Sequence, residues 1–215
     1  GSLNLLHDSY MPLSGMNLLL AMMINCFYGG VGVGMLNYFI FIILAVFISG
    51  LMVGRTPEFL GKKVEAREMK IAMIIALLHP FIILVGTALA AAFPQYTSAT
   101  LANPGFHGFS EMLYEYTSSA ANNGSGFEGL GDNTPWWNIS TGFVLLLGRY
   151  LPIIGPVAIA GILGSKKYIP ESAGTLKTDT LTFGIMTLAV IVIVAALAFF
   201  PSLTLGPIGE YFSSK

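Results

Sequence analysis

Long apolar runs constrain the fold of this chain more than any other feature of its sequence. Four of them, residues 35–54, 71–93, 136–164 and 181–200, contain no Asp, Glu or Lys. A membrane-spanning helix needs about 20 mostly apolar residues, so each run is long enough to cross a bilayer. The low charge content also indicates a membrane protein, because only 10% of the 215 residues are charged, against roughly 25% in a globular protein. The sequence therefore predicts an all-α polytopic membrane protein.

Two shorter apolar segments, about 13–28 and 109–121, lie before the first and third of these runs. Segments of this length are too short to span and are typical of re-entrant or interfacial helices. Basic residues are concentrated in segments 55–70 and 165–177, whereas segment 94–134 contains no Lys or Arg. The positive-inside rule therefore places the two basic segments in the cytoplasm and the third segment outside.

An internal repeat relates the two halves of the chain. A shift of 94 positions aligns four pairs: Gly30 with Gly124, Gly32 with Gly126, Gly54–Arg55 with Gly148–Arg149, and Gly61 with Gly155. Each copy reads as a short apolar segment, a Gly-rich loop, a long span and then Gly-Arg, which is how a duplicated unit appears in a sequence. Only the second copy has a further span before its short segment, so we expect this chain to be part of a longer protein.

The Gly-rich loops read GGVGVG at 29–34 and ANNGSGFEG at 121–129. The first loop lacks the Gly-Lys-Ser/Thr of a phosphate-binding loop, and it fails the dinucleotide pattern G-x-G-x-x-G at Met35. Irregular backbone at membrane depth is tolerated where it is buried in protein or lines a water-filled cavity. There its carbonyl oxygens can replace the water shell of a cation, and glycine accepts the backbone angles that this requires.

Both loops are therefore predicted to form an ion-binding filter. In the second loop the candidate residues are Asn122, Asn123, Gly124, Ser125 and Gly126. The alternative is that these glycines form simple turns and that Gly30-x-x-x-Gly34 is a helix-packing motif. Arg55 and Arg149 share one place in the repeat and are candidates for a pore gate or an electrostatic barrier. For Arg55, an anchor at the membrane interface is an equal alternative.

Charge and cysteine content exclude several other functions. The net charge of −1 argues against a nucleic-acid partner, and the single cysteine, Cys26, excludes an internal disulfide or a thiolate metal cage. The acidic residues Asp8, Glu111, Glu115 and Glu128 are expected around the outer entry, where they either concentrate cations or form a solvated face.

Several long strings give the chain a clear resemblance to a known family. They are His7-Asp8-Ser9, the loop GGVG, GRTPEFLGKK at 54–63, NPGFHGFSE at 103–111, SSAANNGS at 118–125 and LGPIGEY at 205–211. Over nearly its whole length the chain resembles the C-terminal part of the KdpA family, the potassium-binding subunits of the bacterial Kdp P-type ATPase.

This resemblance implies potassium-channel-like repeats of span, pore helix, filter loop and second span. The chain would contain the third repeat without its first span at 1–70, the complete fourth repeat at 71–177, and a final part at 178–215. The expected elements of the third repeat are a pore helix at about 13–28, the filter loop at 29–34, a span at 35–54 and a cytoplasmic loop at 55–70. Those of the fourth are a span at 71–93, an external segment and pore helix at 94–121, the filter loop at 122–128, a proline-broken span at 136–164 and a cytoplasmic loop at 165–177. The final part would hold a span at 181–200 and an external tail.

The resemblance also implies a function. Such a subunit selects potassium at the external side of the bacterial inner membrane and passes it to KdpB, the subunit that hydrolyses ATP, in a complex that includes KdpC and KdpF. The resemblance places the filter at Gly29, Gly30, Val31 and Gly32 in the first loop and at Asn123, Gly124, Ser125 and Gly126 in the second. Backbone carbonyls of the filter would hold the potassium, and the chain itself would bind no nucleotide. Its other partners would be the remaining repeats of the same subunit and membrane lipid. A self-standing or dimeric potassium channel, a secondary cation transporter and a purely structural membrane module are the alternatives.

Overall fold

The structure, a computed structural model, describes residues 5–28, 32–170 and 177–214. After a short 3-10 turn at His7–Ser9, the α-helices in these residues are α1 Pro12–Tyr28, α2 Val33–Val53, α3 Ala66–Ala92, α4 Pro94–Thr97, α5 Phe106–Ala121, α6 Pro135–Ser165, α7 Leu181–Leu203 and α8 Gly209–Ser213. A two-stranded antiparallel hairpin, β1 Glu58–Phe59 and β2 Lys62–Lys63, precedes α3. A π-helical turn, Thr204–Ile208, joins α7 to α8.

Among the described residues, four helices are long and apolar enough to cross a membrane: α2, α3, α6 and the continuous helical stretch Leu181–Ser213. This confirms the all-α membrane class that the apolar runs predict. The two half-length segments are helical as well, since α1 has 17 residues and α5 has 16. The span expected at 71–93 begins earlier, at Ala66, because Arg67 and Lys70 are good helix formers that continue the helix into the basic segment.

Two expected features are wrong. The span expected to be broken by prolines is one helix, α6, which contains Pro152 and Pro156 without interruption. A proline in a membrane helix is tolerated because local adjustments and neighbouring groups satisfy the carbonyl that it frees. The prediction of 29–34 for the first loop is too long, because Val33 and Gly34 already belong to α2.

The described residues fall into two compact units. One unit, called the loop unit because it holds the second Gly-rich loop, comprises the described parts of Gly1–Gly30, His79–Tyr150 and Leu197–Lys215. The other, called the basic unit, comprises the described parts of Val31–Leu78 and Leu151–Ala196.

In the loop unit, the two half-length helices α1 and α5 pack against each other. The Cys26 thiol on α1 donates a hydrogen bond to the Thr117 carbonyl on α5 at 3.2 Å, and burial raises the pKa of this thiol. Tyr116 on α5 is only 1% exposed, and α3 passes it at Gly86, where an added Cβ would lie 2.5 Å from the tyrosine ring. The π-helical turn and α8 contact both α1 and α5, so the C-terminal tail folds back onto this helix pair.

In the basic unit, a tight turn at Leu60 and Gly61 closes the hairpin. Both residues have positive φ, 50° and 68°, as a two-residue type I′ turn requires. The Ile169 N–H donates a hydrogen bond to the Gly61 carbonyl at 2.8 Å. A Cβ on Gly61 would lie 2.2 Å from the ring of Tyr168. Glycine therefore closes the turn and also lets the segment after α6 dock on it.

Candidate ion-binding site

The first Gly-rich loop is described only at its end. Gly29, Gly30 and Val31 lie outside the described residues, so their role as ion ligands stays a prediction. Gly32 has φ 85°, and no atom of the described residues lies within 4 Å of a Cβ built on it. This left-handed backbone conformation favours glycine. Gly32 is exposed and immediately precedes α2.

The second loop begins where α5 ends in a left-handed cap. Asn122 has φ 55° and ψ 37°, and its N–H donates to the Ser119 carbonyl at 3.0 Å. The Asn123 N–H donates to the Ser118 carbonyl, also at 3.0 Å. Such bonds satisfy the last carbonyls of a helix and end it sharply. The chain then continues through Gly124, whose φ of 90° is again in the left-handed region.

Side chains of α5 and of the N-terminal turn hold this loop in place. The Gly124 N–H donates to the Ser118 hydroxyl at 3.1 Å, and the hydroxyls of Tyr114 and Ser125 are hydrogen-bonded at 3.0 Å. His7 Nδ1 donates to the Gly126 carbonyl at 3.2 Å. The loop is therefore fixed by several hydrogen bonds, and the Gly126 carbonyl points toward His7.

His7 also holds the far end of the loop. Its backbone N–H donates to Glu128 Oε2 at 2.8 Å. Its ring packs against Tyr114 and Phe127, with ring centres 5.6 and 6.2 Å apart. The buried His7 side chain thus links the N-terminal turn to the loop through polar and aromatic contacts.

A polar cavity of about 370 Å³ lies beside the loop. Its walls include Gly124, Ser125 and the carboxyl-bearing residues Glu115, Glu128 and Asp132, and the described lining contains no Lys or Arg. Burial raises the pKa of Glu115, which lies on the non-spanning helix α5, to about 7, and the charge of Asp132 raises it in the same direction. The arrangement favours cations over anions, because uncompensated carboxylates in a confined cavity create a negative potential.

Arg149 contacts the base of the second loop. Its Nε donates to Asn122 Oδ1 at 3.2 Å. The Asn122 amide in turn donates to the carbonyls of Ser119, Ala120 and Leu145, each at 3.3 Å. The structure thus places one of the two candidate gate residues within hydrogen-bonding distance of a candidate filter residue.

Arg55 has a different local setting from Arg149. The Arg55 side chain is exposed, and its backbone N–H donates to the Gly50 carbonyl at 2.8 Å, just past the end of α2. Gly54 is the left-handed cap of that helix, with φ 69°, whereas Gly148 lies inside α6. The two Gly-Arg pairs that the predicted repeat aligns therefore have different backbone conformations.

A second polar cluster joins the N-terminal turn, α5 and α8. His107 Nε2 donates to Asp8 at 3.1 Å and its Nδ1 donates to Glu210 at 2.9 Å. Burial lowers the pKa of His107, but the hydrogen bonds and charges of Glu210 and Asp8 outweigh burial and raise it. Glu111 accepts hydrogen bonds from the backbone of Ala102 and Asn103, each at 3.0 Å. One ligand atom each of Asp8, His107 and Glu111 lies within 4.8 Å of the others, but all three are engaged in these bonds, so the cluster is an ion-pair network.

Some residues of the site were not among the predicted ligands. His7, Tyr114 and Ser118 hold the loop without belonging to it. A sequence signal existed for two of them, because Tyr114 and Ser118 are four residues apart and therefore lie on one face of a helix that leads into the loop. For His7, which is 119 residues from its partner Gly126, only the resemblance pointed to the segment.

Comparison with known proteins gives a consistent result. The family model for the potassium-transporting ATPase A subunit, KdpA, matches residues 1–212. The potassium-transporting ATPase potassium-binding subunit of Flavobacterium johnsoniae is 71% identical over 226 residues, which cover 100% of this chain and 39% of that protein. The protein of the same name from Parabacteroides distasonis is 69% identical (99% of this chain, 39% of that protein). The one from Alicyclobacillus acidocaldarius is 61% identical (98% and 37%). The chain thus spans about two fifths of the length of these relatives.

Proposed function

The chain belongs to the KdpA family of potassium-transporting ATPase A subunits, and from this premise we propose that its two Gly-rich loops bind and select potassium at the outer side of a bacterial inner membrane. The ion then passes to the ATP-hydrolysing subunit, KdpB, of a complex that also contains KdpC and KdpF. This chain is a non-hydrolytic part of that pump and binds no nucleotide.

The second loop carries this proposal. Asn123 and Gly124 are exposed, the conformation of the loop is fixed by Ser118, Tyr114 and His7, and three carboxyl-bearing residues line the adjoining cavity. Preformed carbonyls compensate for the lost hydration of a cation without rearrangement. Simple turns between helices would not need so many side-chain supports. The support therefore favours an ion-binding loop over the packing alternative.

Arg149 is proposed to act as an electrostatic barrier at the inner end of the filter. Its side chain bonds to Asn122, at the end of the loop that adjoins α5. A fixed positive charge at this place discourages a cation from leaving straight through the membrane, and so directs it toward the partner subunit. Arg55, which is exposed beyond the end of α2, is proposed as the weaker candidate for the same role in the first repeat.

Ion-stimulated ATP hydrolysis tests the function in the full-length protein reconstituted with its partner subunits. Potassium, rubidium and sodium are titrated for the wild type and for the variants Gly30→Asp and Gly124→Asp. We expect potassium to stimulate at low concentration and sodium not to. Each variant should raise the potassium concentration for half-maximal stimulation by at least about tenfold, because a filter position loses its backbone geometry.

Gly164→Asp is the matched control, because an added Cβ at this exposed position near the end of α6 has no described atom within 4 Å. It should respond like the wild type. Hydrolysis that ignores the ion in the wild type, or a wild-type response in both loop variants, would refute the filter. Potassium flux without ATP would favour the channel alternative instead.

A further inference from the structure

The second Gly-rich loop passes from an exposed part into the packed interior. Asn123 and Gly124 are exposed, whereas Gly126 is half-buried. The next residue, Phe127, is 2% exposed, and its ring packs on that of Tyr114 with ring centres 4.8 Å apart. Gly126 therefore lies at the boundary between the exposed backbone of the loop and the aromatic core that follows it.

The carbonyl at this boundary is already bonded to a buried side chain. His7 Nδ1 lies 3.2 Å from the Gly126 oxygen, and because a carbonyl oxygen only accepts, Nδ1 carries the proton of this bond. The His7 residue is 8% exposed. A filter ligand instead directs its oxygen at the ion, in place of water. An N–H group beside the same oxygen presents its positive end to any cation, so the Gly126 carbonyl is a poor ion ligand.

The turn that carries His7 is itself fixed to neighbouring segments. The His7 backbone N–H donates a hydrogen bond to Glu128 Oε2 at 2.8 Å. The adjacent carboxylate, Asp8, accepts hydrogen bonds from His107 Nε2 at 3.1 Å and from the Asn103 amide at 3.0 Å. Because these bonds fix the turn on both sides of the ring, His7 is a fixed support for the loop.

We infer that His7 is a positioning residue that holds the Gly126 carbonyl away from the ion, so that the ion-facing backbone of the second loop ends at Ser125. The inference rests on the proposed function and deepens it, because it divides the candidate residues of this loop into ion ligands and an anchor. The loop is held at both ends, by the α5 cap at Asn122 and by His7 at Gly126. Carbonyls fixed in this way need no rearrangement when the ion binds, and that raises the affinity for the ion.

The test measures potassium-stimulated ATP hydrolysis by the full-length protein with its partner subunits. His7→Asn places an amide N–H as far from Cβ as Nδ1 is, and should keep the potassium concentration for half-maximal stimulation within about twofold of the wild type. His7→Gln carries the same amide one bond further from the backbone, and His7→Leu has no donor. Both should raise that concentration by about tenfold, with a smaller change in maximal rate, because the loop loses a hydrogen bond to a buried group.

Ser9→Ala is the matched control, because it removes a hydrogen bond of the same turn that does not involve the loop, from the Ser9 hydroxyl to the Leu6 carbonyl at 2.7 Å. It should respond to potassium like the wild type. Equal half-maximal concentrations for His7→Asn and His7→Gln would overturn the inference. So would a fall in maximal rate alone, since a purely structural role predicts that result. The proposed function would still stand if Gly124→Asp loses its response. If Gly30→Asp and Gly124→Asp both respond like the wild type, the proposed function itself fails.

Discussion

At the scale of single residues, the packing at Gly148 explains why a glycine precedes Arg149. A Cβ at this position would lie 2.4 Å from the Ala120 carbonyl oxygen, well inside van der Waals contact. The glycine therefore lets α6 approach the C-terminal end of α5. That approach brings the next residue, Arg149, to Asn122. A packing requirement and a polar contact at the loop thus depend on two adjacent residues.

Gly148→Ala should destabilise the protein by about 1–3 kcal/mol, because overpacking forces a backbone shift. Gly142→Ala is the matched control, since Gly142 also lies within α6 but has no described atom within 4 Å of an added Cβ. Thermal unfolding of the detergent-solubilised full-length protein gives the melting temperatures of both variants. Equal melting temperatures for the two variants would contradict the close approach. Gly148→Ala should also weaken the stimulation of ATP hydrolysis by potassium if it displaces Arg149.

At the scale of elements, the sequence predicted helices better than their connections. Apolar runs of sufficient length located α2, α3, α6 and α7, because the bilayer requires every backbone group in it to be satisfied within the segment. The hairpin before α3 and the return of the tail onto α1 and α5 were not predicted. The return of the tail depends on contacts between segments far apart in the chain, which no local pattern reveals. The hairpin pairs residues three and five positions apart, but each strand has only two residues, too few for an alternating pattern to be recognised.

The same holds for the candidate site. Loop composition and the repeat pointed to Asn122–Gly126, because glycine and small polar residues are the types that such a backbone needs. The supports of the loop were less visible, since His7 reaches Gly126 from 119 residues away. Repeat symmetry was also an incomplete guide, because Gly54 caps a helix and Gly148 packs inside one. Identical residues in two copies therefore do not imply identical contacts.

Lys166 joins the segment after α6 to the start of α3. Its Nζ lies 2.9 Å from carboxylate oxygens of both Glu65 and Glu68, and it also donates to the Lys63 carbonyl at 2.9 Å. The Glu68 side chain has no exposed surface, whereas Glu65 is half exposed. Removing Lys166 would leave the Glu68 carboxylate buried without its cation.

Lys166→Met should therefore lower the free energy of unfolding by about 2–3 kcal/mol, since the loss of one partner of a buried ion pair leaves an uncompensated charge. Lys63→Met is the control, because the Lys63–Glu65 pair is 3.5 Å long and half exposed on both sides. Exposed pairs of this kind contribute about 0–1 kcal/mol. Denaturant unfolding in detergent compares the two. A loss for Lys166→Met no larger than that for Lys63→Met would show that Glu68 is not held by this contact.

At the scale of the whole molecule, charge distribution and the long apolar helices together predict an orientation in the membrane. The chain is only 10% charged, and eight of its ten Lys and Arg residues lie in segments 55–70 and 165–177, which the positive-inside rule assigns to the cytoplasm. Segment 94–134, which contains α5 and the loop, has acidic residues but no Lys or Arg. This predicted orientation puts the second Gly-rich loop on the outer side of the membrane.

Cysteine labelling tests that orientation in intact cells. Cys26 is 1% exposed and bonded to Thr117, so it should stay unreactive, and cysteines elsewhere in the full-length protein are replaced by serine. A membrane-impermeant maleimide should label Asn133→Cys from outside and should not label Lys167→Cys, because both positions are exposed but are predicted to lie on opposite sides. Inside-out vesicles should reverse the pattern. The protein that retains Cys26 but has no added cysteine measures any labelling of Cys26 itself. Labelling of Lys167→Cys in intact cells would invert the orientation. The loop would then face the cytoplasm, which is incompatible with selection of an ion from outside.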